Sequence, residues 1–166
     1  MAELRDLYNK NRQRTGQTIQ RDQPTPPGCY ILVVMVFIQN SDGKFLIQKR
    51  SRAKGGYYAS TGGHAKTGET SIEAMCSEIA EELGLKLQAE DLQLFYSGRS
   101  DDEQVFFDDY YYKADINLED LTLQKSEVES IQWLTEAEIE TLNGQGNFSW
   151  GDYEEFERLR NWLKTN

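Results

Sequence analysis

Glu78, Glu81 and Glu82 fall within five residues of one another, in a run that reads GGHAKTGETSIEAMCSEIAEELGL. On a helix turning about 100° per residue, the three carboxylates share an arc roughly 100° wide. That arrangement is electrostatically unfavourable. Like charges three and four residues apart repel by roughly 0.2 to 0.5 kcal/mol per pair, and the C-terminal end of a helix already carries partial negative charge. A divalent cation between the carboxylates would relieve both penalties. Oxygen-only ligands of this kind suit Mg²⁺ or Mn²⁺ rather than zinc. The plain alternative is a solvated, glutamate-rich helix face.

The helix that would carry them has readable ends. Thr70 followed three residues later by Glu73 is a capping-box signature, so the helix is expected to start there. Gly84 follows the last apolar position and suits a left-handed C-terminal cap. Ile72, Cys76, Ile79 and Leu83 form one stripe with Met75 at its edge. That stripe can bury against a sheet while the glutamates point together into a groove.

From Gly63 the chain runs Gly, five residues, Glu69, seven residues, Ser77, then Glu78, Ile79, Ala80, Glu81, Glu82, Leu83, Gly84 and Leu85. This resembles the Nudix box, G-x5-E-x7-R-E-U-x-E-E-x-G-U, in which U is a bulky aliphatic residue. Eight of the nine constrained positions match over the 23 residues 63–85, and Ser77 stands where the pattern has arginine. Residues 28–52 and 127–133 look like flanking strands of a Nudix domain. The stretch LYNKNRQRTGQTIQRDQ looks like the lead-in of the branch nearest isopentenyl-diphosphate isomerase, so the resemblance covers about residues 3–140.

The resemblance implies an α/β Nudix fold, a mixed β-sheet sandwiched between α-helices. It implies a single domain over residues 1–166, with a β lead-in at 1–28 and a C-terminal helix at about 152–164. It also implies Mg²⁺-dependent cleavage, with Mn²⁺ as a possible substitute, of a phosphoanhydride in a nucleoside diphosphate linked to another moiety. Glu78, Glu82 and the Gly62 carbonyl would then hold metal, neutralising phosphate charge and acidifying a water. Glu81, Glu82 and Glu127 would be the catalytic carboxylates, with Glu81 or Glu127 left to orient or deprotonate the water. Glu69 would support the loop and helix from behind the metal ligands.

Ser77 opens a question, because the family arginine pairs with a helix glutamate and a serine has no charge to offer. Compensation by another cation, weakened catalysis, or a noncatalytic module that senses a nucleotide or sugar phosphate would each follow. Retention of Glu69, Glu78, Glu81 and Glu82 weighs against the sensor. Isomerase activity is disfavoured residue by residue: Gly62 stands in place of the isomerase cysteine and Ile31 in place of a metal-binding histidine. Only His64 keeps its matching type.

The chain has 166 residues and a net charge of −10, unevenly spread. Residues 1–54 hold ten Lys or Arg against four Asp or Glu, a balance of +6, whereas residues 55–166 balance at −16. The overall field argues against nonspecific nucleic-acid binding. The partner expected instead is a small-molecule diphosphate, and the cluster Lys49, Arg50, Arg52 and Lys54 could clamp its phosphates, with Arg50 or Arg52 as the phosphate ligand. The longest apolar stretch, residues 29–38, is ten long, too short for a membrane span of about 20 residues. No secretory segment is evident, and Cys29 and Cys76 read as reduced core residues, so a cytoplasmic location is expected. A homodimer is possible on family grounds, though no interface is readable.

Strands are expected at 4–8, 17–20, 30–38, 45–49, 92–97 and 104–114, with a loop at 54–61. The run at 30–38 is continuously apolar, as a strand covered on both faces should be. A short helix is expected at 134–142 and an amphipathic one at 153–164, opened by Asp152. The aromatic run at 106–112 reads as a strand with one face in the core rather than as a base-stacking platform.

Overall fold

The computed structural model describes residues 3–166. Its strands are β1 (Leu4–Tyr8), β2 (Arg14–Gln20), β3 (Ile31–Gln39), β4 (Phe45–Arg50), β5 (Tyr58–Ala59), β6 (Thr61–His64), β7 (Gln93–Ser100), β8 (Val105–Lys113) and β9 (Val128–Leu134). Its α-helices are α1 (Ser71–Leu83), α2 (Glu136–Gly144) and α3 (Trp150–Leu163).

The doubly apolar strand β3 is the centre of the sheet. It pairs parallel with β8 along its whole length, from Ile31 opposite Val105 to Gln39 opposite Lys113. Its other edge is shared: β6 lies antiparallel to Val33–Val36, and β4 pairs at Gln39 through a tight hairpin. β4 continues the sheet to β5 and β9, while β8 continues it to β7. One parallel pair among antiparallel ones makes the sheet mixed.

Side chains alternate across β3, and each set has its own helix cover. Leu32, Val34, Val36 and Ile38 pack with Ala74, Met75, Ile79 and Leu83 of α1. On the opposite face, Phe37, Phe45 and Ile47 pack with Ile139 of α2 and with Phe156 and Leu159 of α3. The expected sheet between helices is therefore present, and double cover explains why β3 tolerates no polar residue before Gln39. Phe45 and Phe156 meet edge to face at 5.2 Å, the packing geometry aromatic rings favour.

β1 and β2 form a separate two-stranded hairpin, tied to the main sheet by a bridge between Tyr8 and Tyr30. Leu7 and Ile19 of the hairpin bury against Ile31. Arg12, at the hairpin tip, donates from both terminal nitrogens to Asp108 of β8, with Nη1 at 2.8 Å from Oδ1.

Several element bounds differ from the sequence reading for physical reasons. β2 starts at Arg14 rather than at residue 17, because Arg14 pairs with Tyr8 and polar residues join the ladder. The expected loop at 54–61 holds the short strand β5, which pairs with Gln48 and Lys49. Leu134 belongs to β9, and α2 starts only after Thr135, capped reciprocally with Glu138. α3 starts at Trp150, so Asp152 lies inside its first turn. Its carboxylate instead accepts from the Ser60 backbone N–H and hydroxyl at 2.8 and 2.9 Å. The aromatic run in β8 feeds both faces, with Phe106 and Tyr110 in one core and Tyr111 in the other. Among the described residues, no helix is long and apolar enough to cross a membrane.

Candidate active site

α1 has the bounds its sequence predicts, with a reciprocal Thr70–Glu73 capping box and Gly84 at a φ of 68°. Its inner stripe is rotated from the expected one. Met75 is fully buried rather than marginal, and Ile72 and Cys76 are only partly buried. The rotation makes the three glutamates unequal. Glu82 turns inward to 4% exposure, Glu78 is half-buried and Glu81 is exposed.

Each glutamate has its own partners. Glu82 Oε1 accepts from Gln48 Nε2 of β4 at 3.0 Å, and the same amide donates to Thr61 Oγ1 at 3.1 Å. Glu78 lies flat against Gly63, where a Cβ would stand 2.5 Å from Glu78 Oε2. Gly62 has a different duty: a Cβ there would run into the Val34 carbonyl oxygen of β3. Glu81 accepts from Lys66 Nζ at 2.9 Å, and the same ammonium is 3.7 Å from Glu78.

Burial above all raises the Glu78 and Glu82 carboxyl pKa values. Lys66 opposes the rise at Glu78 and the Gln48 hydrogen bond opposes it at Glu82, while the Glu82 charge adds to it at Glu78. Two desolvated acids this close gain from a shared cation. Among the described residues, no group of three or more His, Cys, Asp or Glu closes into a metal cage. The oxygen donors present fit Mg²⁺, which binds through one or two carboxylates and keeps its waters. Glu78 and Glu82 could hold it, and Gly62 lines the same cavity.

Glu69 is fully occupied in holding the loop to the helix. Its Oε1 accepts the Lys66 backbone N–H at 2.7 Å and its Oε2 accepts the Ser77 hydroxyl at 2.6 Å.

The cavity is about 550 Å³ and is lined by charges of both signs. Glu78, Glu81 and Glu82 of α1 line it together with Glu3, Glu127 and Asp152, and so do Arg5, Arg21, Arg50 and Lys54. Three of those cations converge on Glu127: Arg21 and Arg50 at 3.3 Å and Lys54 at 3.5 Å. Arg52 is exposed on the single 3-10 turn after β4 and does not reach the cavity lining, whereas Lys54 at the end of that turn does. His64 also lines the cavity, and burial, with Arg5 nearby, lowers its pKa to about 4, so it is neutral at pH 7.

Three residues at the site escaped the sequence reading. Gln48, a polar side chain inside an apolar strand, and Lys66, in the unconstrained part of the glycine–glutamate spacing, hold the α1 glutamates from behind the cavity lining. Arg21, which lines the cavity, follows β2 and is more than 100 residues away in sequence from Glu127.

The NUDIX domain family profile matches residues 30–158, and the chain belongs to that family. It is 39% identical over 148 residues to an uncharacterised Nudix hydrolase of Listeria monocytogenes, covering 86% of each chain. A Listeria innocua counterpart is 38% identical over the same length. Among solved structures, a Deinococcus radiodurans protein superposes with a TM-score of 0.75 at 26% identity, over 94% of this chain and 98% of that one. The NUDIX domain of Shewanella oneidensis NrtR, solved with ADP ribose, shares the fold at a TM-score of 0.65 and 15% identity, over 81% and 88% of the two chains. The family match starts at residue 30, so Glu3, Arg5 and Arg21 enter the cavity from outside it.

Proposed function

We propose that this protein is a Mg²⁺-dependent pyrophosphohydrolase that cleaves a phosphoanhydride in a nucleoside diphosphate linked to another moiety. The observation that carries the reading is the meeting, in one cavity, of the α1 carboxylates with a cluster of cations. The nucleoside half of the substrate rests on membership of the Nudix family.

A diphosphate repels nucleophiles because its oxygens are anionic, so its charge must be balanced before water can attack. Arg50, Lys54 and Arg21 supply that balance on one side, Lys54 and Arg21 taking the part expected of Arg52. Phosphate oxygens compete with the Glu127 carboxylate for the same three cations. On the other side, Glu78 and Glu82 with the Gly62 carbonyl would hold Mg²⁺, which when bound neutralises phosphate charge and acidifies water. Gln48 fixes one oxygen of Glu82. Glu81 and Glu127 are the two carboxylates placed to orient the attacking water. We assign that role to Glu81, since Glu127 is already shared among three cations and Glu81 is paired with one.

A panel of nucleoside diphosphate derivatives with Mg²⁺ or Mn²⁺, scored for turnover and thermal shift together, tests the reading. Turnover supports hydrolysis, whereas stabilisation without turnover would mark a sensor. Glu82→Gln should lower Mg²⁺-dependent turnover about 100-fold or more, the scale at which a positioned carboxylate contributes. An unchanged rate in a folded variant would sink the assignment.

A further inference from the structure

We propose that Lys66 is the positioning residue that stands in for the arginine absent at Ser77, holding Glu81 and Glu78 in register for the reaction. The inference rests on the hydrolase reading above for its kinetic part. It starts from an imbalance: α1 presents three carboxylates to the cavity, and Ser77 brings no charge to offset them. Of the other cations lining the cavity, Arg21, Arg50 and Lys54 are drawn to Glu127 and Arg5 to Glu3. Among the described residues, Lys66 is the one cation in an ion pair with Glu78 or Glu81.

Lys66 is delivered there by a fastened loop. Its backbone N–H donates to Glu69 Oε1 at 2.7 Å, and its carbonyl accepts from the Glu69 N–H at 3.0 Å. Glu69 in turn is held to α1 by the Ser77 hydroxyl at 2.6 Å. The hairpin clamps the loop from outside: the Thr67 N–H donates to the Leu4 carbonyl and the Gly68 N–H to Asp6 Oδ2, both at 2.9 Å. Ser77 thus fixes Glu69, and the loop so fixed supplies from Lys66 the charge that a serine lacks.

The geometry also says what the charge accomplishes. Glu78 and Glu81 are three residues apart on one helix face and repel when both are ionised. An ammonium 2.9 Å from one and 3.7 Å from the other joins them and limits the swing of the exposed Glu81. Small displacements of such a group are costly to rate even where binding is intact.

The test uses the full-length protein. Lys66→Met should lower kcat roughly 10- to 100-fold with KM for the diphosphate unchanged, while Lys66→Arg keeps most of the rate. In Lys66→Met/Ser77→Arg the rate should largely return, because position 77 lies one turn before Glu81 and an arginine there can reach it. The melting temperature of the metal-free protein gives a second readout that needs no turnover. Lys66→Met should cost less stability in a Glu81→Gln background than in the wild type. An unchanged kcat in Lys66→Met, no recovery with Ser77→Arg, or strictly additive melting shifts would each overturn the proposal. A protein that turns over no diphosphate yet shows non-additive melting shifts would keep the Lys66 contact and lose the hydrolase reading instead.

Discussion

Gly63 lacks a side chain because the Glu78 carboxylate fills the space one would take. Its backbone is an ordinary strand, so alanine there is tolerated conformationally and the cost falls on Glu78. Gly63→Ala is therefore expected to reduce turnover about 100-fold, the scale of an ångström-sized misplacement, with far-UV circular dichroism unchanged. Retained turnover in that variant would show that Glu78 need not lie where it does. Helix period brought Glu78, Glu81 and Glu82 into view, and the resemblance to the Nudix box added Gly63 and Glu69. Their inequality was not readable. It depends on Met75 reaching the sheet, which rolls Glu82 inward and leaves Glu81 outside. The choice between Arg52 and Lys54 was equally hidden, because one 3-10 turn decides which of them faces the cavity.

At the scale of elements, the hairpin of β1 and β2 depends on a polar strut. Arg12, itself in left-handed backbone at a φ of 62°, reaches Asp108, which also accepts from Ser97 Oγ at 2.8 Å. Burial alone would raise the Asp108 pKa, but the hydrogen bonds from Arg12 and its neighbours hold it below the usual range. A carboxyl so lowered contributes stability above its unfolded pKa and loses it as pH falls through the folded value. Arg12→Ala leaves Asp108 buried without its cation and should cost roughly 1.5 to 3 kcal/mol, as for a hydrogen bond to a charged group. Loosening the hairpin moves Arg21, so KM should rise more than kcat falls, and trypsin should cut the hairpin faster. Unaltered KM and proteolysis would mean that the hairpin docks without the strut. Apolar runs and turn residues made most strands legible. β5 and the first residues of β2 were not, because pairing partners rather than their own side chains order them.

Across the whole molecule, stability should carry the mark of one deeply buried acid. Asp109, 1% exposed on β8, faces Glu155 of α3, and Asp109 Oδ2 and Glu155 Oε2 are buried without a hydrogen-bond partner. Burial first, and then Glu155, raises the Asp109 pKa far above the usual carboxylate range. The folded protein thus keeps a proton that the unfolded chain releases above about pH 4. Its contribution is full below that pH and declines as pH rises, by at most about 1.4 kcal/mol per unit. Urea denaturation at pH 5 and pH 8 should show Asp109→Asn gaining on the wild type at the higher pH; a constant difference would refute the buried proton. The imbalance of charge between the first 54 residues and the rest was legible as numbers, and the fold gives it meaning by bringing Arg5, Arg21, Arg50 and Lys54 of the first part into one cavity with Glu78, Glu81 and Glu82 of the second. Glu3, Arg5 and Arg21 of that cavity come from outside the family match, from a segment joined to β3 through a proline-rich connector. A relative that kept the box but exchanged its first 29 residues would keep the α1 carboxylates and lose Glu3, Arg5 and Arg21 from the cavity, and the outcome expected of such an exchange is an altered appetite for substrate.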